Sequence, residues 1–252
     1  MTDHPTLSIV VPCYNESGNL RPLAEAIRDS LEPLMVSYEI IFTDDGSQDD
    51  SWKLLCELTA ADPRIRAQRL ERNCGQSAAL WAGIQAARGR FIGTLDADMQ
   101  NDPRDLPKFL EAVEKYDCVC GSRVASRSQG DSWLRRVSSR IANSVRNRIT
   151  QETVSDSGCC YRVFRRECAA NLKFFKGMHR FLPTLFKIEG FSVVEIPVTH
   201  NPRFAGATHY GVWNRLFGSS YDLFAVRWMQ KRMFRYRVKD RLNFPPEVKK
   251  SD

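Results

Sequence analysis

The sequence lacks a long hydrophobic run. No stretch reaches the roughly 20 apolar residues of a membrane-spanning helix, and the chain does not open on a signal-peptide pattern. Hydrophobic residues make up 42% and charged residues 27% of the 252 positions, which is ordinary for a folded soluble protein. We therefore predict a protein that is made and kept in the cytosol, with one large domain or one and a half.

Cysteine pairs at metal-binding spacing are also missing. The chain has eight cysteines but no C-x-x-C pair, and its four histidines are scattered, which argues against a zinc site. Five of the cysteines lie in or beside apolar stretches: Cys13, Cys56, Cys118, Cys120 and Cys160. We expect reduced thiols that pack as small hydrophobic side chains.

Two common nucleotide-binding signatures are absent as well. No G-x-G-x-x-G follows the first apolar run, and no G-x-x-x-x-G-K-[ST] occurs anywhere in the chain. The usual dinucleotide and P-loop sites are therefore disfavoured.

Charge is present but unevenly distributed. Residues 1–122 contain 12 Lys/Arg against 20 Asp/Glu, whereas residues 123–252 contain 25 against 10, which together give the net charge of +7. The basic second half is typical of a protein that meets a nucleic acid, a membrane surface or a phosphorylated substrate, although a solvated basic face would look the same.

Short apolar runs alternate with amphipathic stretches in the first half. Strands are predicted at Leu7–Val11, Tyr38–Phe42, Ile65–Leu70, Phe91–Leu95 and Cys118–Gly121. Helices are predicted at 20–31, 51–61, 77–87 and 103–115. This alternation predicts an α/β fold, a mostly parallel sheet with helices on both faces.

The second half has a different pattern. A basic helix is predicted at 131–150, an apolar helix at 174–188, a strand at 191–198 and a long amphipathic helix at 213–236. The last helix mixes aromatic and basic residues, as helices at a membrane surface do. In one arrangement Phe224 and Trp228 pack on the core, while Arg232 and Arg235 face lipid headgroups.

Polar clusters follow three of the predicted strands. They are Pro12–Glu16, Asp44–Ser47 and Asp96–Gln100. Ligands of open parallel sheets bind outside the carboxyl ends of the strands, so the three clusters predict one binding site. Turn and cap roles explain Ser47, but they do not explain two carboxylates at the end of an apolar strand.

The pair Asp96 and Asp98, with the amide of Gln100, is a set of hard oxygen ligands. Such a set suits Mg²⁺ or Mn²⁺, which keep open positions for substrate phosphates. An aspartyl acid–base pair is the rival interpretation and would need one raised pKa. We favour the metal, with Tyr14 as a stacking face and Asp45 as an acceptor for a nucleotide base.

Six motifs occur together in a recognisable order: SIVVPCYNE, TDDGSQDDS, RNCGQSAAL, LDADMQNDP, GSR and DSGCCYRVF. From residue 7 to about 215 the chain resembles the family 2 inverting glycosyltransferases of GT-A fold, and among them the dolichyl- and undecaprenyl-phosphate sugar synthases. The resemblance implies a hexosyltransferase that moves a sugar from a nucleotide-sugar to a polyprenyl phosphate for cell-envelope glycan modification. A UDP-sugar is preferred over GDP-mannose as the donor.

The resemblance also implies roles for individual positions. The positions around the nucleotide-sugar are Pro12, Tyr14, Glu16, Thr43, Asp45, Asp96, Ala97 and His209. The positions on the metal are Asp96, Asp98 and Gln100, and those on the acceptor phosphate are Arg135, Ser139 and Arg203. Asp98, Arg123, Arg135 and Arg203 are the predicted catalytic residues, with Arg123 beside the diphosphate.

Two departures from the family pattern stand out. His209 occupies the place of a lysine in the usual G-x-S-K-Y motif, and a histidine is fully charged only below about pH 6.5 unless its neighbours raise its pKa. The two C-terminal membrane helices of many such synthases have no counterpart in this sequence. We therefore expect a catalytic domain over 1–212 (donor half 1–122, acceptor half 123–212), a basic amphipathic helical extension over 213–241 and a disordered tail over 242–252.

These expectations imply a cellular location, and they leave two alternative functions open. The enzyme would be peripheral on the cytoplasmic face of the inner membrane, on an anionic surface, and homo-oligomers are compatible with it. One rival is a family 2 enzyme acting on a sugar hydroxyl; its processive members typically carry Q-x-x-R-W, where this chain has Phe224 in place of Gln. The other rival, a nucleic-acid binder, leaves Asp96 and Asp98 unexplained, because they would repel a phosphate backbone.

Overall fold

A computed structural model describes residues 4–124, 144, 146–150, 155–156, 158–202, 212–234 and 240, with side chains of the last helix described from residue 221. Within these residues seven strands form one sheet. The strands are β1 (Leu7–Cys13), β2 (Tyr38–Asp44), β3 (Ile65–Arg69), β4 (Phe91–Thr94), β5 (Cys118–Ser122), β6 (Arg162–Arg165) and β7 (Val193–Pro197). The helices are α1 (Ser17–Leu31), α2 (Ser51–Ala61), α3 (Gln76–Ala86), α4 (Leu106–Val113), α5 (Leu182–Glu189) and α6 (Val212–Arg232).

The sheet is mostly parallel, as predicted, but not wholly so. Its order is β3-β2-β1-β4-β6-β5-β7, and β6 runs antiparallel to both β4 and β5. The other neighbouring pairs are parallel. No strand was predicted at Arg162–Arg165, because the four residues of β6 begin and end with arginine, which hides the strand pattern.

Helices cover both faces of the sheet. Leu7, Ile9 and Val11 of β1 point to a core that includes residues of α1, α2 and α4, while Val10 points to a second core with residues of α3, α5 and α6. This alternation along one strand is the two-residue period of an extended chain with apolar layers on either side.

The helix predicted at 174–188 begins later than expected. Gly177 adopts φ +96°, a short 3₁₀ turn follows at Met178–Arg180, and α5 begins at Leu182 with Pro183 in its first turn. Glycine in the left-handed region interrupts a helix, and proline is favoured in the first turn of a new one. The apolar run is therefore divided into a loop with a short turn and a helix that begins at Leu182.

The last helix corrects one prediction. Leu223 and Val226 are buried in the second core, whereas Phe224 is 65% and Trp228 62% exposed. The inward packing of Phe224 and Trp228 was therefore wrong: the 3.6-residue period places them on the side opposite Leu223 and Val226. Arg232 is exposed, and Arg235 lies outside the described residues. No helix in the described ranges is both long and apolar enough to span a membrane.

Candidate active site

The register of the strands brings the three polar clusters to one edge of the sheet. Cys13 of β1 pairs with Asp44 of β2, and Val10 pairs with Thr94 of β4. Just beyond the strands, the Asp45 N–H donates to the Cys13 carbonyl at 2.9 Å, and the Leu95 N–H donates to Val10 at 3.2 Å. We call this edge, where β1, β2 and β4 end, the carboxyl rim.

Side chains join the first two clusters. The Asn15 N–H donates to Ser47 Oγ at 2.9 Å, and the Gln48 N–H donates back to Asn15 Oδ1 at 2.8 Å. Asn15 has φ +54°, a conformation that asparagine tolerates better than most residues. Tyr14 and Glu16 flank this junction and remain half-buried, and buried Thr43 lies at the end of β2. The predicted nucleoside positions from β1 and β2 therefore share one rim.

Asp45 also stabilises a loop, a structural role that the sequence pattern did not indicate. Its carboxylate accepts the N–H groups of Cys74 and Gly75 at 2.7 and 2.8 Å, and so fixes the loop before α3. Burial raises the pKa of Asp45 despite these two donors. Each oxygen has a second acceptor site, so the carboxylate can still bind a base.

Asp96 and Asp98 lie together at the end of β4. Asp98 is buried and Asp96 half-buried, with buried Ala97 between them. Burial, and next the charge of Asp98, raises the pKa of Asp96 to about 6. Gln76 Nε2 donates to Asp96 Oδ1 at 2.8 Å, and the Gln100 N–H donates to Asp98 Oδ1 at 3.2 Å.

This donor set fits a divalent cation in its chemistry. Two mutually repelling carboxylates become compatible when a cation lies between them, and Mg²⁺ or Mn²⁺ takes its other ligands from water and phosphate. No group of three or more His, Cys, Asp or Glu side chains converges as a metal site in the part of the chain that the structure describes. In a site built on Asp96, Asp98 and Gln100, water and substrate phosphates would supply the remaining ligands.

Arg123 is held at the rim by Asp156. Its Nε lies 2.8 Å from Asp156 Oδ2 and its Nη2 lies 3.0 Å from Oδ1, while its backbone N–H donates to Oδ2 at 3.0 Å. The charge of Arg123 lowers the pKa of Asp96, although burial dominates the net rise. Asp156 is itself braced, because Glu195 of β7 accepts its N–H and that of Ser155.

Arg162 places a second cation beneath the rim. It is 1% exposed, and among the described residues its Nε and Nη1 have no hydrogen-bond partner. In the sheet Arg162 pairs with Thr94 of β4 and with Cys120 of β5. Thr94 lies two residues before Asp96 in the sequence. Arg162 and Asp156 both lie in the DSGCCYRVF motif, but the motif did not indicate a role for either residue.

The first residues of α3 link the rim to a second loop. Gln76 contacts Asp96, while Ser77 Oγ lies 2.7 Å from His179 Nδ1 and accepts the Gly177 N–H at 2.9 Å. The RNCGQSAAL motif pointed to this helix but not to these contacts.

The structure brings together only part of the predicted site. The described members are Pro12, Tyr14, Glu16, Thr43, Asp45, Asp96, Ala97, Asp98, Gln100 and Arg123. The members that lie outside the described residues are Arg135, Ser139, Arg203 and His209. The roles of both groups stay predictions.

Comparison with known proteins gives a family and relatives. The sequence-family model described as "Glycosyl transferase family 2" matches residues 8–172 of this chain. Undecaprenyl-phosphate 4-deoxy-4-formamido-L-arabinose transferase of Edwardsiella ictaluri is 36% identical over 229 residues, covering 88% of this chain and 69% of its own length. Dodecaprenyl-phosphate galacturonate synthase of Rhizobium johnstonii is 34% identical over 230 residues, covering 89% of this chain and 67% of its own length.

Solved structures share the fold. Glucosyl-3-phosphoglycerate synthase of Mycobacterium tuberculosis, in complex with Mn²⁺, UDP and glucosyl-3-phosphoglycerate, aligns with a TM-score of 0.63 at 20% identity, covering 90% of this chain and 80% of its own. A mannosyltransferase of Pyrobaculum calidifontis with GDP-Man and Mn²⁺ aligns with a TM-score of 0.56 at 17% identity, covering 78% of this chain and 56% of its own.

Proposed function

This chain belongs to glycosyltransferase family 2, and we propose that it transfers a sugar from a nucleotide-sugar to a polyprenyl phosphate. The observation that carries the proposal is the carboxyl rim, where paired carboxylates end a central strand, in a chain 34–36% identical to relatives named for polyprenyl-phosphate sugar transfer. The lipid-linked sugar would serve cell-envelope glycan modification.

The donor is proposed to bind along β1, β2 and β4. Tyr14 offers a half-buried ring against the base, and Asp45 offers a carboxylate whose position is fixed by two backbone donors. Pro12, Glu16, Thr43 and Ala97 complete the walls of this subsite. We prefer a uridine nucleotide over a guanosine nucleotide.

Asp96, Asp98 and Gln100 are proposed to hold Mg²⁺ or Mn²⁺ with the diphosphate. When bound, the ion stabilises the charge that develops on the departing nucleoside diphosphate. Gln76 keeps Asp96 in one orientation through its 2.8 Å hydrogen bond. Arg123, held rigid by Asp156, supplies a fixed positive charge beside the same group.

A phosphate acceptor removes the need for a general base at the rim, so the raised pKa of Asp96 does not by itself require the acid–base interpretation. A phosphate monoester is already an oxyanion at neutral pH, so the enzyme needs no strong general base to create the nucleophile. Cys160, which lies near Asp96, is unsuited to that role because burial raises the pKa of its thiol. Arg135, Ser139, Arg203 and His209 are the residues we propose for the acceptor phosphate. In-line attack would invert the anomeric carbon.

These roles assign each substrate, and the membrane, to a different segment of the chain. Residues 1–122 would bind the donor, 123–212 the acceptor phosphate, and the helical extension 213–241 the membrane that contains the acceptor. The enzyme would then act as a peripheral protein on the cytoplasmic face of the inner membrane.

A transfer assay with matched acceptors tests this proposal. The full chain is incubated in detergent micelles with Mn²⁺ and labelled UDP- or GDP-sugars, and with either undecaprenyl phosphate or undecaprenol. We expect labelled lipid only with the phosphate and none with the Asp98→Asn variant. Transfer to undecaprenol or to a sugar hydroxyl, without transfer to the phosphate, would contradict the proposal.

A further inference from the structure

The outward face of α6 carries three large aromatic side chains. Tyr221 is 81%, Phe224 65% and Trp228 62% exposed. Spacings of three and four residues keep them on one side of the helix, while Leu223 and Val226 anchor the opposite side in the core. A row of exposed aromatic rings on a helix that two buried side chains anchor to the core marks an interaction surface.

Positive charge accompanies these rings. Lys231 and Arg232 are exposed one turn beyond Trp228, and Arg227 is half-buried beside it. Asp222 is the one acidic residue between positions 221 and 234, and its carboxylate turns toward Gly177, where an added Cβ would collide with it. The outward face is therefore aromatic and cationic.

A second element extends this face. The loop before the turn at Met178–Arg180 exposes Lys173, Phe174 and Lys176, and we call it the basic loop. Phe174 remains 49% exposed although its ring stacks on Trp81 of α3, with 6.5 Å between ring centroids. Because the close approach of Gly177 to Asp222 joins the loop to α6, the two elements adjoin.

We propose that this aromatic–basic patch, formed by Lys173, Phe174, Lys176, Tyr221, Phe224 and Trp228, docks the protein on an anionic bilayer. The inference rests on the proposed function, in which the acceptor is a lipid phosphate. Aromatic rings settle at the bilayer interface and Lys/Arg side chains pair with anionic headgroups, which matches both halves of the patch. A second copy of the same patch would bring like charges together, so a homodimer through this face is disfavoured.

The patch is also placed to deliver the acceptor. Ser77 holds both Gly177 and His179 at the end of the basic loop, and the preceding residue, Gln76, contacts Asp96 at the carboxyl rim. The loop that meets the headgroups is thus connected through one helix terminus to the donor site. Docking by this face would therefore act on the same end of α3 that contacts the donor site.

Vesicle cosedimentation of the full chain tests the proposal. The probes are mixed phosphatidylcholine–phosphatidylglycerol vesicles and pure phosphatidylcholine vesicles. The test variants are Lys173→Gln with Lys176→Gln, and Phe174→Ser with Trp228→Ser. The matched control is Lys115→Gln with Tyr116→Ser, an exposed basic–aromatic pair just after α4, whose helix packs on the opposite face of the sheet.

We expect wild type and control to bind the mixed vesicles. The Lys173/Lys176 variant should bind them roughly tenfold or more weakly, since each surface Lys or Arg contributes about a factor of five. The Phe174/Trp228 variant should also bind them more weakly, because it removes two aromatic rings from the bilayer interface. All four proteins should still transfer sugar in detergent micelles, where docking is not needed. Unchanged binding by the Lys173/Lys176 variant, or self-association of wild type through the patch without vesicle binding, would overturn the docking surface. Absence of transfer by wild type would instead defeat the proposed function and leave the vesicle result standing.

Discussion

Gln76 hydrogen-bonds directly to the carboxylate of Asp96. Its amide donates to Asp96 Oδ1 at 2.8 Å, and it is the first residue of α3, so its backbone is fixed by the helix that follows. A carboxylate that must accept a cation in one geometry benefits from a neutral donor, because an ammonium or guanidinium group in the same place would compete with the cation.

Replacing Gln76 with Ala should weaken binding of a nucleoside diphosphate in the presence of Mn²⁺ by roughly tenfold, the usual worth of a hydrogen bond to a charged group. Titration calorimetry measures this directly. Gln230→Ala is the matched control, because it removes a 2.9 Å hydrogen bond from the side-chain amide of Gln230, on α6, to the Thr150 carbonyl. Equal affinities for the two variants would mean that Gln76 does not position the metal site.

At the residue scale, sequence alone located the rim carboxylates but not their partners. Asp45, Asp96 and Asp98 are conspicuous because each follows an apolar strand directly. Asp156 and Gln76 are distant in sequence from the residues that they contact, Arg123 and Asp96. Such pairs are set by strand order and loop path, which a one-dimensional pattern does not contain.

At the scale of the elements, the buried carboxylate of Glu39 on β2 forms a hydrogen bond with Ser8 on β1. Glu39 is 2% exposed and accepts from Ser8 Oγ at 2.7 Å, from the Arg88 N–H at 2.8 Å and from Arg66 Nη1 at 2.8 Å. Burial by itself raises the pKa of Glu39, but these donors together with the Arg88 side chain outweigh it, and the net pKa lies below the usual 4.5.

Glu39 should therefore make stability depend on pH. Because the folded pKa is lower than the unfolded one, its contribution is present above pH 4.5 and is lost as the pH falls below it. Glu39→Gln should lower the free energy of unfolding at pH 7 by about 1–3 kcal/mol and flatten its decline in acid.

Denaturant unfolding at pH 7 and in mild acid provides the measurement. Glu114→Gln is the control, since the Glu114–Arg90 pair is about half exposed on both sides and exposed pairs contribute little. If the two variants showed the same pH profile as wild type, the buried carboxylate would not be the cause.

The attachment of α6 to the basic loop makes another prediction. Gly177 and Gly75 both have positive φ, but an added Cβ meets the Asp222 carboxylate at Gly177 and nothing within 4 Å at Gly75. Gly75, at φ +92° and ψ +157°, lies in a region that only glycine readily adopts, so Gly75→Ala should cost about 1–3 kcal/mol for its backbone alone. Gly177→Ala should cost about 1–2 kcal/mol for a left-handed backbone, plus the cost of moving the Asp222 carboxylate.

Thermal unfolding of both alanine variants tests this packing. Adding Asp222→Ala should restore part of the loss in Gly177→Ala and none in Gly75→Ala. A double mutant no more stable than Gly177→Ala would show that the helix does not approach the loop as described.

The sequence was a good guide to the elements of the first half. Strands β1 to β5 each fall within a predicted apolar run to within two residues, because buried parallel strands are continuous apolar segments. It failed for β6, where a buried arginine interrupts the pattern, and for the two faces of α6. That helix is apolar on both sides, so periodicity alone does not decide which side the core covers.

For the molecule as a whole, the charge asymmetry now has a spatial counterpart. The acidic first half builds the carboxyl rim, where we propose a divalent cation. Exposed cations of the second half lie beside the aromatic rings of α6 and its adjoining loop. We interpret the two surfaces as the metal–nucleotide side and the membrane side of one transferase.

The most direct test of this account is the metal dependence of nucleotide binding. Uridine and guanosine diphosphate are titrated into wild type and Asp98→Ala with and without Mn²⁺, after thermal unfolding shows that the variant is folded. We expect Mn²⁺ to tighten binding of one nucleotide to wild type by roughly tenfold or more, and to leave Asp98→Ala unchanged. A full Mn²⁺-dependent gain in Asp98→Ala, or no gain in wild type with either nucleotide, would contradict the account.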